Sequence, residues 1–208
     1  MKWPSNFYPA ICTAFRINWC PTLFTMSLRE LLVPEQVKFI PISRSYYADA
    51  RNYMVHEALK AGCSHIFFLD EDMVFNSDVL YKLQAQNRDI IGAFYCERRS
   101  PYLPCVFRFD QEGYLCKLKH CEYNGEIDVD VVGDGAILIK AEVFDTLEEP
   151  WFRWNEKDLV PKNTDKFITG DVGFCLRSKA VGYKVYCHTD IIMKHMGEEK
   201  LIDQTFQE

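Results

Sequence analysis

The stretch His65-Ile66-Phe67-Phe68-Leu69-Asp70-Glu71-Asp72 decides the reading of this chain. Five mostly apolar residues read as a short buried strand, and three acids follow where that strand has to end. Carboxylates so close together repel unless a cation stands among them. Hard oxygen ligands suit Mg²⁺ or Mn²⁺, so a divalent ion carrying phosphate is the natural occupant of such a corner. The competing reading is a plain polar turn between strand and loop.

Working outward, Ala10 to Asn18 reads as a first strand, and Pro21 opens a helix running to about Val33. Val37 to Ile42 is a second strand. Tyr47, Ala50, Met54, Ala58 and Ala61 recur at helical spacing, with Gly62 as the stop. After the acids, Asn76 or Ser77 is expected to cap a helix that turns Val79, Leu80 and Leu83 inward. Asp89 to Tyr95 is again strand. This alternation predicts an α/β, Rossmann-like fold with a mostly parallel central sheet flanked by helices. Ligands of such sheets bind beyond the carboxyl ends of the strands, where Asp70 and Asp72 lie. From about Cys105 to Ile139 the pattern turns to short strands, with turns at Asp110–Gly113 and Asn124-Gly125, which predicts a small antiparallel insert. A helix from about Asp171 to Ala180, a stop at Gly182 and a strand over Lys184–Cys187 follow. The tail after Gly197 is expected to fray.

The bulk properties narrow the function classes. The 208 residues, 48% hydrophobic and 14% aromatic, are enough for one domain with a substantial core. A net charge of −6 argues against a nucleic acid held on a basic surface. No apolar run approaches the ~18 residues of a membrane span, and the N-terminus opens no apolar signal region. The nine cysteines are odd in number and irregular in spacing. Cys12, Cys63 and Cys175 fall inside strand or helix patterns as small core hydrophobes, which points to a reducing compartment and a cytoplasmic location. Cys105, Cys116, His120 and Cys121 offer zinc-ligating atoms but lack a paired C-x-x-C knuckle, so buried thiols are the expected reading.

Several segments together resemble a family. Ala50-Arg51-Asn52 followed by an apolar strand ending in Asp-x-Asp is similar to the nucleotide-sugar half of GT-A glycosyltransferases. So are Gly133-Asp134-Gly135-Ala136-Ile137-Leu138-Ile139 with Val143-Phe144, and Gly170-Asp171-Val172-Gly173-Phe174-Cys175-Leu176-Arg177 as a helix start. Gly182-Tyr183-Lys184-Val185-Tyr186 then leads to His195, where many members place a metal-binding histidine. The resemblance spans roughly Ala10 to Gly197. It implies a nucleotide-binding half over about 10–95, a sugar and acceptor half over about 96–197, and a tail over 198–208.

What the resemblance implies is transfer of a sugar from a nucleoside diphosphate, UDP by first choice with Mn²⁺ or Mg²⁺, to a hydroxyl of a glycan or glycoconjugate. Asp72 would ligate the metal, Asp70 would contact the ribose and a metal-bound water, and His195 would be a further ligand. Arg51, Thr13 and Glu71 would lie on the nucleotide, although Arg51 reads equally as an exposed helix arginine. Asp171 would be the general base, and Asp134, Gly135 and Trp151 or Trp154 would line the sugar and acceptor site. Asp171 is also a good helix cap, and capping should lower its pKa. Gly170 departs from the family, which often has an acid there. So short a chain leaves little for acceptor recognition, which leaves room for further domains.

Three other classes fit parts of the pattern. Asp70-Glu71-Asp72-Met73-Val74 matches the start of haloacid-dehalogenase-type phosphatases, with Asp70 as nucleophile and Asp72 as acid/base, although that motif normally ends the first strand. A nucleotidyltransferase would need a glycine-rich loop, which Phe15-Arg16-Ile17-Asn18 does not supply. A binding module without catalysis would keep the sheet and lose the chemistry.

Overall fold

The computed structural model describes residues 2–119, 122–154, 161–162, 168–197 and the backbone of 201–202. A seven-stranded sheet forms the frame, in the order β2 (Lys38–Ser43), β1 (Pro9–Phe15), β3 (His65–Leu69), β10 (Ala136–Lys140), β5 (Ile90–Phe94), β11 (Val185–Ile192) and β8 (Glu126–Val129). Among the described residues five α-helices accompany it: α1 (Thr22–Glu30), α2 (Tyr47–Lys60), α3 (Val79–Ala85), α4 (Glu142–Thr146) and α5 (Gly170–Ala180).

Strand alternation divides the core into two layers. Ala10 and Cys12, Ile66 and Phe68, Ile137 and Ile139 point to one face, where they meet Met54 and Ala58 of α2, Phe144 of α4 and Phe174 of α5. Ile11, Phe67, Leu69, Ile91 and Leu138 point to the other, against Phe24 of α1 and Val79, Leu80 and Leu83 of α3. Both sheet faces are therefore covered, which is why β3 and β5 read as continuous apolar runs rather than alternating ones.

The sheet is mixed. β1 pairs in parallel with β2 and β3, and β11 with β5. β10 runs antiparallel between β3 and β5, and β8 antiparallel along β11. The physical reason lies in the connection. A parallel return needs a crossover, usually a helix. Between β5 and β10 the chain instead forms β6 (Val106–Phe109), β7 (Leu115–Lys117), β8 and β9 (Val131–Val132), with no α-helix among its described residues. β10 thus enters the sheet from the opposite end, and its amino-terminal end lies beside the carboxyl end of β3.

Local punctuation meets expectation in some places and departs from it in others. Gly62, at φ +72°, ends α2, where Cys63 N–H donates to the Ala58 carbonyl at 3.0 Å. The Asp110–Gly113 turn joins β6 to β7, with Gly113 at φ +83°. Asn124-Gly125 does not make a two-residue hairpin, because β8 pairs with β11 rather than with the strand before it. The cap of α3 is Asp78, not Asn76 or Ser77. β11 extends to Ile192, beyond the expected Cys187. β12 (Lys194–Met196) then pairs with β4 (Met73–Val74) and with β13 (Leu201–Ile202), so part of the expected tail is strand. The rest of that tail, and His120 and Cys121 of the possible zinc group, lie outside the described residues.

Candidate functional site

One rim of the sheet collects the acids. Asp70, Glu71 and Asp72 follow β3, Asp134 and Gly135 precede β10, Tyr47 and Arg51 come from the first turns of α2, and Asp171 comes from the first turn of α5. The antiparallel entry of β10 makes this possible, since Asp70 N–H donates to the Gly135 carbonyl at 2.9 Å. β12 brings in the histidine: His195 stands opposite Met73, and Met196 N–H donates to the Asp72 carbonyl at 2.8 Å.

Arg51 is the hub. Its side chain is 1% exposed, and its Nη2 donates to Asp70 Oδ1 at 2.6 Å while its Nε donates to Asp134 Oδ2 at 2.9 Å. The Tyr47 hydroxyl donates to the same Asp134 oxygen. The guanidinium carbon lies 4.6 Å from the centre of the Phe68 ring and 5.2 Å from that of Tyr47. A buried cation needs such compensation. One nitrogen, Nη1, has no hydrogen-bond partner among the described residues. Arg51 is therefore not an exposed helix arginine, and its unpartnered Nη1 is buried as well.

Asp72 faces two cationic groups through a single oxygen. Oδ2 lies 2.8 Å from Arg98 Nη1 and 3.3 Å from His195 Nε2. The His195 Nδ1 lies 2.9 Å from the Cys96 carbonyl, and that carbonyl can only accept, so Nδ1 carries a proton. In the neutral ring, Nε2 would then turn a lone pair toward a carboxylate. The contact is favourable only if a proton or a metal ion stands between them. This is the arrangement of metal-ligating histidines, whose other nitrogen donates to a carbonyl. Burial pushes the His195 pKa down, but the hydrogen bond and charge of Asp72 outweigh it and raise the value above the usual histidine range. Burial likewise raises Asp72, and His195 and Arg98 together bring it below the usual carboxylate value.

Two other carboxyls move the other way. Burial, with the charge of Asp134 nearby, lifts Asp171 to about 6, against the helix-start amides and Thr169. Burial also lifts Asp70 to about 6, against Arg51 and with Asp134 and Asp72. The expectation that capping lowers Asp171 is therefore overturned: Thr169 is the cap, and desolvation exceeds the pull of the helix start. Both folded values exceed the ordinary 3.8, so the native state holds these protons more tightly than the unfolded chain. Their contribution to stability is complete below pH ~4 and lost as pH rises through ~6. Asp171→Asn should flatten that decline, read from urea unfolding at pH 4.5, 5.5 and 7; an unchanged slope would contradict the shift.

The remaining expected residues divide. Gly135 is packed tightly: a Cβ there would come within 2.5 Å of Met73 Cε, and its N–H donates to the Tyr95 hydroxyl at 3.1 Å. Gly170 has a steric reason, since a Cβ would lie 2.7 Å from Tyr47 Cε1 and no acid fits beside that ring. Glu71 is spent on the loop after β1, accepting from the Arg16 N–H at 3.2 Å and Nε at 2.8 Å. Thr13 lies near the carboxyl end of β1 and is buried at 4% exposure. Trp151 is 3% exposed, packs on Phe144 and donates Nε1 to the Phe144 carbonyl at 2.9 Å. It is a core residue, which corrects its reading as an acceptor platform. Trp154 is 55% exposed and packs edge-on against Tyr47 at 5.8 Å, so an aromatic face does remain at the rim.

Sequence reasoning missed two features. Arg98 gave no signal, because its contact with Asp72 spans 26 positions. A groove of about 320 Å³ beyond β1 and β2 is lined by Phe15, Ile17, Trp19, Pro41, Ile42 and Ser43, among others. It is assembled from two separate segments and adjoins the loop that Glu71 holds. Among the described residues no three His, Cys, Asp or Glu side chains converge on one point. Asp72 and His195 are a fitting pair for an ion that draws its remaining ligands from phosphate and water.

No family model matches the chain, and no curated protein matches it. Among solved structures it is similar to the crystal structure of A197 from STIV, at 20% identity and a TM-score of 0.65, over 95% of this chain and 94% of that one. The two share a fold: a mixed α/β architecture. No helix among the described residues is long and apolar enough to cross a membrane.

Proposed function

We propose that this protein is a GT-A-like, metal-dependent glycosyltransferase that moves a sugar from a nucleoside diphosphate, UDP by first choice, to a hydroxyl of a glycan or glycoconjugate. The observation that carries the reading is the pairing of Asp72 Oδ2 with His195 Nε2 at 3.3 Å, with the histidine's other nitrogen fixed on a carbonyl. The surrounding charge agrees. Asp70, Glu71, Asp72, Asp134 and Asp171 outnumber Arg16, Arg51 and Arg98 by two, the charge of one divalent ion.

Each group then has a task. A bound Mn²⁺ or Mg²⁺ supplies Lewis-acid stabilisation of the diphosphate as it leaves. Asp72 and His195 would hold that ion, and Asp70, fixed by Arg51, would meet the ribose. The Phe15–Ser43 groove offers apolar walls for a base. Asp171, with its pKa near 6, is ionised at neutral pH and basic enough to take the proton of an acceptor hydroxyl. The new bond forms between that oxygen and the anomeric carbon while the bond to the diphosphate oxygen breaks. Trp154 provides the exposed aromatic face for an acceptor sugar.

A thermal-shift panel of UDP, GDP, CDP and ADP, each with Mn²⁺, Mg²⁺ or EDTA, tests the reading. Ligand at 100 times its Kd adds about 2.7 kcal/mol, or roughly 5–10 °C for a chain of this size. One nucleoside diphosphate should give that shift and lose it in EDTA. A flat response to all four with both ions would overturn the proposal.

A further inference from the structure

We infer that Arg98 is a resident countercation of the Asp72–His195 pair, leaving Asp72 when a divalent ion binds and turning to the phosphate that arrives with it. The inference rests on the reading of that pair as the ion's site. Its starting point is that Arg98 Nη1, at 2.8 Å, and His195 Nε2 share one oxygen of Asp72. A hard cation sits about 2.1 Å from its carboxylate oxygen. A guanidinium on that same oxygen would then bring two positive charges within a few ångströms of each other. One of them has to go.

The three guanidiniums of the rim differ in their freedom to move. Arg51 is 1% exposed and tied to two acids, so its departure would strand a buried charge. Arg16 holds the β1 loop through two bonds to Glu71. Arg98 is 43% exposed and makes its ion pair to Asp72 alone. It rides on the segment after β5 that Glu97 N–H closes onto the Leu103 carbonyl at 2.8 Å, beside the Cys96–Pro104 bridge. Arg98 can leave into water, and the arriving ion takes over the charge of Asp72, whose side chain is only 14% exposed. A guanidinium also binds phosphate better than water does, through two parallel N–H bonds.

The exchange predicts opposite effects on two ligands. Without phosphate, Arg98 competes with the ion; with phosphate, it helps retain the pair, so the two ligands bind cooperatively. Mn²⁺ binding is read from the EPR signal of the free ion, alone and with inorganic pyrophosphate, for wild type, Arg98→Gln, Arg99→Gln and Asp72→Ala. Arg99 is exposed on the same segment, so its variant removes the same charge without touching Asp72. Arg98→Gln should bind Mn²⁺ alone roughly fivefold tighter, and at saturating Mn²⁺ should bind pyrophosphate roughly fivefold more weakly. Arg99→Gln should stay near wild type in both.

If Arg98→Gln behaves as Arg99→Gln does while Asp72→Ala loses the ion, the exchange is wrong and the metal site stands. If wild type shows no Asp72-dependent Mn²⁺ binding even with pyrophosphate, the site reading falls and the exchange with it.

Discussion

Asp72→Ala should abolish the metal-dependent part of nucleoside diphosphate binding, while Asp171→Asn should leave that binding intact and slow transfer by roughly 10²–10⁴-fold. The two positions differ in what they offer. Asp72 presents its oxygen to His195 and Arg98, and removing it dissolves the pair that would hold an ion. Asp171 touches neither of these groups and lies buried near Asp134. Burial holds its proton to about pH 6, so replacing the carboxyl by an amide also removes an energetic cost at neutral pH. The variant should therefore lose turnover and gain stability together, which a merely structural role would not produce. Calorimetric titration of UDP with and without EDTA reads the first effect. Release of UDP from a panel of UDP-sugars, with water as acceptor, reads the second. Unchanged metal dependence in Asp72→Ala would refute the central assignment.

Much of this site is legible in the sequence because it follows regular elements. The β3 run and the α2 stripe are short-period patterns, and they appear where expected, at His65–Leu69 and Tyr47–Lys60. Arg51 falls on that stripe, four residues after Tyr47 and three before Met54, so its burial could have been read from its position. What the pattern lacks is strand partners. Nothing in Ala136–Lys140 says that it enters antiparallel between β3 and β5, yet that entry places Asp134 beside Asp70. Nor does an aromatic residue declare its exposure: Trp151 and Trp154 are three positions apart, one in the core and one at the rim. The Asp171 pKa is a third case, since a helix start is visible in sequence and the protein packed around it is not. Contacts across long separations, such as Arg98 with Asp72, leave no local trace at all.

Arg51→Met should destabilise the protein by about 3 kcal/mol at pH 7, the low end of the cost of breaking a buried pair. The low end applies because Asp70 remains 35% exposed, whereas the Asp134 side chain is only 9% exposed and loses its countercharge outright. Methionine fills most of the volume beside Phe68, so the loss measures charge rather than a cavity. Two controls separate the terms. Asp134→Asn in the Arg51→Met background should recover part of the loss, because the uncompensated carboxylate goes with it. Lowering the pH to 4.5 should shrink the defect, since Asp70 without the guanidinium is freer to take up a proton. Urea unfolding at both pH values reads each comparison. An Arg51→Met variant as stable as wild type would mean that α2 carries no charge into the core, and that Asp70 is held by the β3 backbone alone. The expected result instead ties the acids to the fold itself: the cation that makes their clustering tolerable also packs α2 against β3, so the rim keeps its geometry before any ligand arrives.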